Sequence, residues 1–279
     1  MIDLARTFYR LARTLWGLRA FSASERARFV ELVVPLMEGV GGGVPAPRAY
    51  HLAETLSTAI YPHFKFSEFG RSWLDDAAFV DCYRRFMDPG NWHSLDRKYT
   101  LDQLLRLALR VPGDCAECGV YTGMSSYLIC RRLAAAGGSS PRHHHAFDSF
   151  EGLSAPDDRD GDYWQAGAMA VSEQAVHAAL AEFDNYTTHR GWIPERFADV
   201  ADRQFAFVHV DVDLYQPTLD SLAFFYPRLA AGGVILMDDY GFDSCPGARA
   251  AADEYFATVG EPVVELTTGQ AMVLKQPTP

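Results

Sequence analysis

The chain has 279 residues, 48% hydrophobic and 22% charged, enough for one large domain with an extension. Its 36 acidic residues against 25 Lys and Arg leave a formal charge of -11, which argues against nucleic acid as a partner. Five cysteines without a disulfide pattern, no apolar run near the roughly 20 residues of a membrane span and no signal-peptide core point to the cytoplasm.

Residues 1–20 read as an amphipathic helix. Leu4, Phe8, Leu11 and Leu15 form its stripe, and Arg6, Arg10 and Arg13 line the other side. A membrane-surface helix is the competing reading; docking on the domain or on a second subunit is the expected one, which makes a homodimer or higher homo-oligomer the expected assembly. Ser22 and Glu25 make a capping-box pattern for a helix through Met37, with Pro35 kinking or ending it. A glycine-rich loop occupies 39–47. Helices are predicted over 51–61 and 72–87, the latter with Leu74, Phe79, Tyr83 and Phe86 on its apolar side. Thr100 and Gln103 look like a capping box for a helix ending near Arg110.

From Asp114 onward strands alternate with helices. Strands are predicted at 115–118, 144–148 and 187–191, and from Phe205 and Gly233; helices at 125–136, 172–183 and 248–258. Residues 137–142 and 151–170 read as loops, and 263–275 as two strands joined by a Thr-Gly turn. The expected fold class is α/β: a doubly wound, mostly parallel sheet with an antiparallel C-terminal strand. A helical N-terminal extension over 1–95 precedes the main domain at 96–279.

The chemistry concentrates in residues 205–241. The runs FAFV and GGVILM are continuous rather than alternating, as in parallel strands buried on both faces. Leu222, Phe225, Tyr226 and Leu229 fall at helical spacing between them. One strand ends in Asp211 and Asp213, the other in Asp238 and Asp239. Residues two apart on a strand share a face, and strands joined by a helical crossover end at one edge of the sheet. All four carboxylates are therefore expected to crowd the edge where open α/β sheets bind ligands. They cannot all be ionised and unpaired there. The nearest bases in sequence are Arg228 and Arg249, so a hard divalent cation, most simply Mg2+, is the economical remedy. Helix or turn capping is the competing use for any single Asp.

Glu117-Cys-Gly119-Val-Tyr-Thr-Gly123 sits at a strand-to-helix turn, where glycine lets backbone approach a ligand. It is not the dinucleotide fingerprint. An acidic group before the glycines suits a ligand with an amino or sulfonium group better than a pyrophosphate. Asp148, ending the second strand, is placed to accept ribose hydroxyls.

The segments PGDCAECGVYTGMSS, AFDSFEGLSAP, DGDYW, HRGWIPE, HVDVDLYQPT and GGVILMDDYG follow one another in order over residues 112–241. In this combination the chain resembles S-adenosylmethionine-dependent methyltransferases of the macrocin O-methyltransferase (TylF/MycF) family. The likeness runs over residues 95–275, roughly, while 1–90 resembles the family only in being helical. It implies a class I, Rossmann-like methyltransferase fold, with S-adenosylmethionine and Mg2+ as cofactors and a sugar or glycosylated natural product as acceptor. It implies that Glu117, Gly119, Tyr121 and Ser125 hold the methionine end and that Asp148, Ser149 and Phe150 surround ribose and adenine. Ser172 and Trp192 are further adenine-side or lid candidates. Asp211, Asp238 and Asp239 match the metal ligands, and Asp213 the proposed general base. Ile193-Pro194-Glu195 departs from the family pattern, which puts lid or substrate contacts there in doubt.

Methyl transfer from a sulfonium is an in-line displacement limited by the nucleophile and its alignment. Chelated neighbouring hydroxyls would be oriented, worth roughly 7–11 kcal/mol, and proton removal by Asp213 typically adds about 10²–10⁴-fold. The competing acceptor is a catechol-like diol. A non-catalytic cofactor- or carbohydrate-binding module requires the carboxylates to be structural, and a nucleotide-dependent dehydrogenase is disfavoured by the glycine pattern. Three adjacent histidines at 143–145 alternate faces and cannot all meet one ion. Cys115-x-x-Cys118 lacks a second pair for zinc, and Tyr50, Tyr61, Phe64, Phe66, Phe69 and Trp73 read as core rather than as an acceptor wall.

Overall fold

The computed structural model describes residues 22, 54, 57, 58, 72–88, 91, 93–136 and 142–277. The helices expected over 1–20 and 22–37, the loop at 39–47, most of the 51–61 helix, the aromatics at 50–69 and most of the 137–142 loop lie outside them. Two compact units divide the chain, Met1–Asp76 and Ala77–Pro279. In the first, Ser72–Asp75 forms a 3-10 turn. The helix expected from residue 72 begins instead at Ala77, as α1 (Ala77–Phe86).

The second unit continues with α2 (Leu95–Ala108), β1 (Asp114–Cys118), α3 (Met124–Ala136) and β2 (His144–Asp148). Then come α4 (Glu173–Ala179), β3 (Tyr186–Arg190), β4 (Phe205–Val210), α5 (Tyr215–Arg228), β5 (Leu229–Met237), α6 (Pro246–Val259), β6 (Val264–Glu265) and β7 (Ala271–Leu274). The sheet order is β3-β2-β1-β4-β5-β7-β6. β1 to β5 pair in parallel; β7 runs antiparallel to β5, and β6 to β7. Among the described residues no helix is long and apolar enough to cross a membrane.

Local chemistry sets the element ends. α2 starts six residues earlier than the Thr100/Gln103 pattern predicts, with Ser94 rather than Thr100 at its N-cap; both residues of that pattern lie inside the helix. The side chain of Ser172 caps α4 by accepting from the Ala175 N–H. α6 opens with Pro246 and closes at Gly260, whose φ of 75° is the left-handed C-terminal signal.

Every residue of β4 is buried, which explains its unbroken apolar run. Alternation divides its neighbours between two layers. Ala116, Cys118, Phe147, Val208 and Val210 face a core with Leu222 and Phe225 of α5 and Ala252 and Phe256 of α6. Cys115, Glu117 and His209 point the other way, towards the α2–α3 layer. Phe225 lies at the centre of the first layer, its ring 4.9–5.7 Å from those of Phe147, Phe197, Phe205 and Phe224.

Removing that ring leaves a void under β4 that neighbouring rings cannot fill. Phe225→Ala is expected to lower the unfolding free energy by about 3–5 kcal/mol in urea titration.

Candidate functional site

At the C-terminal ends of the parallel strands lies a cavity of about 570 Å³. It sits where β1 and β4 lie side by side and the winding reverses, the ligand edge of such sheets. Its size is ordinary for a small-molecule site, for which roughly 300–1,000 Å³ is typical.

The β1–α3 turn forms one wall. Gly119 has a φ of 86°, and a Cβ there would stand 1.9 Å from the Asp211 carbonyl oxygen, so only hydrogen fits. Asp148 accepts from the N–H groups of Val120 at 2.7 Å, Tyr121 at 3.3 Å and Phe150 at 2.7 Å. It thereby ties the end of β2 to the turn. Burial nonetheless pushes its pKa up. Gly119, Tyr121, Ser125, Asp148, Ser149 and Trp192 all line the cavity.

Three residues expected with them are placed elsewhere. Phe150 and Ser172 border a smaller hollow of about 400 Å³ with His177 and Arg190. Glu117 does not line the cavity, because the pleat turns it into the α2–α3 layer. There it takes the Ser126 hydroxyl and His209 Nδ1, the latter at 3.0 Å. Burial opposes its charge, but His144 and His209 beside it hold its pKa at about 2.

The four strand-end aspartates divide into two groups. Asp211 and Asp238 gather with His209, while Asp213 and Asp239 gather with Cys245. The reason is that β4 ends at Val210, so strand alternation does not carry through to Asp213. Asp213 has a φ of 59°, a left-handed conformation for a non-glycine residue. Its N–H donates to Asp239 Oδ2 at 2.9 Å. Asp211, Asp213 and Asp239 line the cavity; Asp238 is fully buried behind them.

Asp238 is fully engaged. Its Oδ2 meets Arg97 Nη1 at 2.5 Å and Lys98 Nζ at 3.8 Å, and its Oδ1 meets His209 Nε2 at 3.1 Å and Gln270 Nε2 at 2.5 Å. Burial works against its charge, yet Lys98, Arg97 and His209 hold its carboxyl well below the usual carboxylate range. Burial likewise opposes the imidazolium of His209, but Asp238 and Glu117 raise its pKa to about 9. The other three are pushed upward. Burial and the Asp238 charge raise Asp211, and burial and Asp213 raise Asp239 far above the ordinary value. Burial and Asp211 bring Asp213 to about 7.

The 157–164 segment is fastened to this corner. Asp160, 3% exposed, accepts the Tyr215 N–H at the start of α5 at 2.6 Å. A Cβ on Gly247, at the start of α6, would meet the same Asp160 oxygen at 1.9 Å. Arg159 lies over the Tyr215 ring, 3.4 Å from its centroid. Trp164 Nε1 donates to Cys245 Sγ at 3.3 Å.

Sequence reasoning named Arg228 and Arg249 as the nearest bases and missed Arg97, Lys98, Gln270, Asp160 and Cys245. No spacing rule connects α2 to a strand 140 residues on; only the Arg-Lys pair at the helix start hinted at charge. His209 was within reach of the sequence, since it shares Asp211's parity on the β4 strand.

The family profile described as Macrocin-O-methyltransferase (TylF) matches residues 98–267. The 8-demethyl-8-(2,3-dimethoxy-alpha-L-rhamnosyl)-tetracenomycin-C 4'-O-methyltransferase of Streptomyces olivaceus is 32% identical over 173 residues, covering 57% of this chain and 65% of its own length. The match therefore spans just under two thirds of that relative. Demethyldecarbamoylnovobiocin O-methyltransferase of Streptomyces niveus is 32% identical over 185 residues, covering 61% of this chain and 70% of its own. The solved structure of the O-methyltransferase NovP superposes with a TM-score of 0.58 at 25% identity, covering 68% of this chain and 84% of that one.

The two glycines of the β1–α3 turn should respond differently to a methyl group. Gly123→Ala meets Val176 at 3.5 Å and Ala179 at 3.9 Å, both ordinary contacts, and carries backbone strain alone, about 1 kcal/mol. Gly119→Ala must also displace the Asp211 backbone, so urea titration should show at least about twice that loss.

Proposed function

Because the chain belongs to the macrocin O-methyltransferase (TylF) family, we propose that it moves a methyl group from S-adenosylmethionine to a hydroxyl of a sugar, oligosaccharide or glycosylated natural product. The observation that carries this reading is one cavity with two unlike walls: the glycine turn with Asp148, and the carboxylates Asp211, Asp213 and Asp239. The name of the Streptomyces olivaceus relative specifies a rhamnosyl-bearing substrate, which supports a sugar acceptor over a catechol-like diol.

S-adenosylmethionine supplies a methyl group already activated on a sulfonium. In this reading Gly119, Tyr121 and Ser125 take its methionine end, with Glu117 supporting from beneath through Ser126 and His209. Asp148 and Ser149 take the ribose; Asp148 Oδ1 carries one bond, from Phe150, and has a lone pair left for a hydroxyl. Trp192 serves the adenine side or the rim, while Phe150 and Ser172 border the smaller hollow rather than this cavity.

The donor set suits a hard divalent cation. Asp211 and Asp239 would offer it oxygen ligands at the cavity wall; burial first, and then the neighbouring carboxylates, raises both, with Lys98 Nζ the cation beside Asp211 Oδ2 at 3.3 Å. Asp238, the third proposed ligand, would have to exchange Arg97 or Gln270 for the ion. Bound there, Mg2+ supplies Lewis acidity and a template for two neighbouring hydroxyls. Asp213 takes the proton from the attacking hydroxyl: it is buried, faces the cavity and has a pKa of about 7, suited to work at neutral pH.

Incubation with methyl-labelled S-adenosylmethionine and a panel of glycosides, oligosaccharides and catechols tests the reading. Label is expected in a glycoside; label confined to catechols would move the acceptor class, and none anywhere would remove the activity. Asp213→Asn should lower kcat about 100-fold or more while S-adenosylhomocysteine affinity by calorimetry stays within about threefold. Undiminished turnover would take Asp213 out of the base role. EDTA should abolish transfer and Mg2+ restore it, and full activity in excess chelator would end the metal assignment.

A further inference from the structure

The Asp213 side chain has a partner that the proposed chemistry does not use. Cys245 Sγ donates to Asp213 Oδ1 at 3.4 Å, and the same sulfur accepts from Trp164 Nε1 at 3.3 Å. Cys245 is 2% exposed and sits immediately before α6, so its thiol is presented by a helix start and not by a mobile loop. The main chain of Asp213 is fixed separately, through its N–H to Asp239. Its carboxylate rotamer is what remains to be set, and the thiol is the group that sets it.

We infer that Cys245 is a positioning residue: its thiol orients the Asp213 carboxylate and couples it, through Trp164, to the 157–164 segment that borders the cavity. The role rests on Asp213 serving as proton acceptor. Sulfur suits it because it is a weak donor and a weak acceptor at once, and its long bond to Cβ places it between two partners from different segments. The segment is independently docked beside it by Asp160 on the Tyr215 N–H. An apolar residue of similar volume would fill the space but leave the indole N–H and one carboxylate oxygen without their shared partner.

Two measurements test this. In steady-state kinetics, Cys245→Val is expected to lower kcat about 10- to 100-fold, with the acceptor KM and the S-adenosylhomocysteine Kd within about threefold, because misalignment affects the reacting geometry more than binding. Cys245→Ser, which keeps a donor and an acceptor, should recover most of that loss. In hydrogen–deuterium exchange without substrate, the 157–164 amides should exchange at least about threefold faster in Cys245→Val and in Trp164→Phe, but not in Cys245→Ser. A Val variant with the parent's kcat, or one that loses affinity as much as kcat, would overturn the positioning role. Unchanged exchange in both the Val and Phe variants would overturn the coupling. If the parent protein transfers methyl to no acceptor, the methylation reading falls, and the positioning role with it; the exchange arm still decides the coupling.

Discussion

A carboxylate with no exposed surface must find its counter-charges inside the protein, and at the cavity Asp238 is such a carboxylate. Arg97 and Lys98 reach it from α2, His209 from β4 and Gln270 from the β6–β7 turn. The chain beyond is drawn in through His209, whose other nitrogen holds Glu117 of β1. One line of alternating charges thus crosses the sheet from β1 to β5 and fastens α2 onto it. Deleting a cationic partner would leave buried negative charge under-compensated, and breaking a buried pair typically costs about 3–5 kcal/mol.

The carboxylates beside that line are pushed the other way. Lys98 Nζ reaches Asp211 Oδ2 at 3.3 Å as well, yet burial and mutual repulsion still raise Asp211, Asp213 and Asp239. Two electrostatic regimes therefore lie side by side. Asp238, the first residue beyond β5, stays ionised behind the cavity wall, while the residue after it faces the cavity and resists ionisation. The left-handed turn at Asp213 keeps the regimes apart, carrying that carboxylate out of the β4 line and over to Asp239.

Much of this was legible in the residues. Unbroken apolar runs marked β4 and β5 as central parallel strands, and the Thr-Gly turn marked the terminal hairpin. The convergence of the acidic strand tips followed from the handedness of a helical crossover. Their partition did not, because parity holds only while the strand lasts and β4 stops at Val210. The role of Glu117 was misplaced for a related reason: its pleat parity faces it to His209 and away from the cavity, and reading that parity required knowing that β4 was its neighbour. The partners of Asp238 were beyond reach, since their approach is set by tertiary packing of α2. Start positions failed where a capping pattern occurred inside a helix, as with Thr100 and Gln103.

Asp160 satisfies the first N–H of α5 and leaves space at the start of α6 for nothing larger than glycine. The cover over the cavity is thus stapled in its middle to two helices of the scaffold. The stretches flanking the staple are tied to each other: Leu153 N–H donates to the Ala168 carbonyl and Gly167 N–H to the Leu153 carbonyl, both at 2.9 Å, and a Cβ on Gly152 would stand 2.5 Å from the Ala168 oxygen. Variation that reshapes the cavity without loosening its border therefore belongs at the lining side chains Leu153, Ser154, Ala155 and Met169, with Gly152 and residues 157–164 left alone.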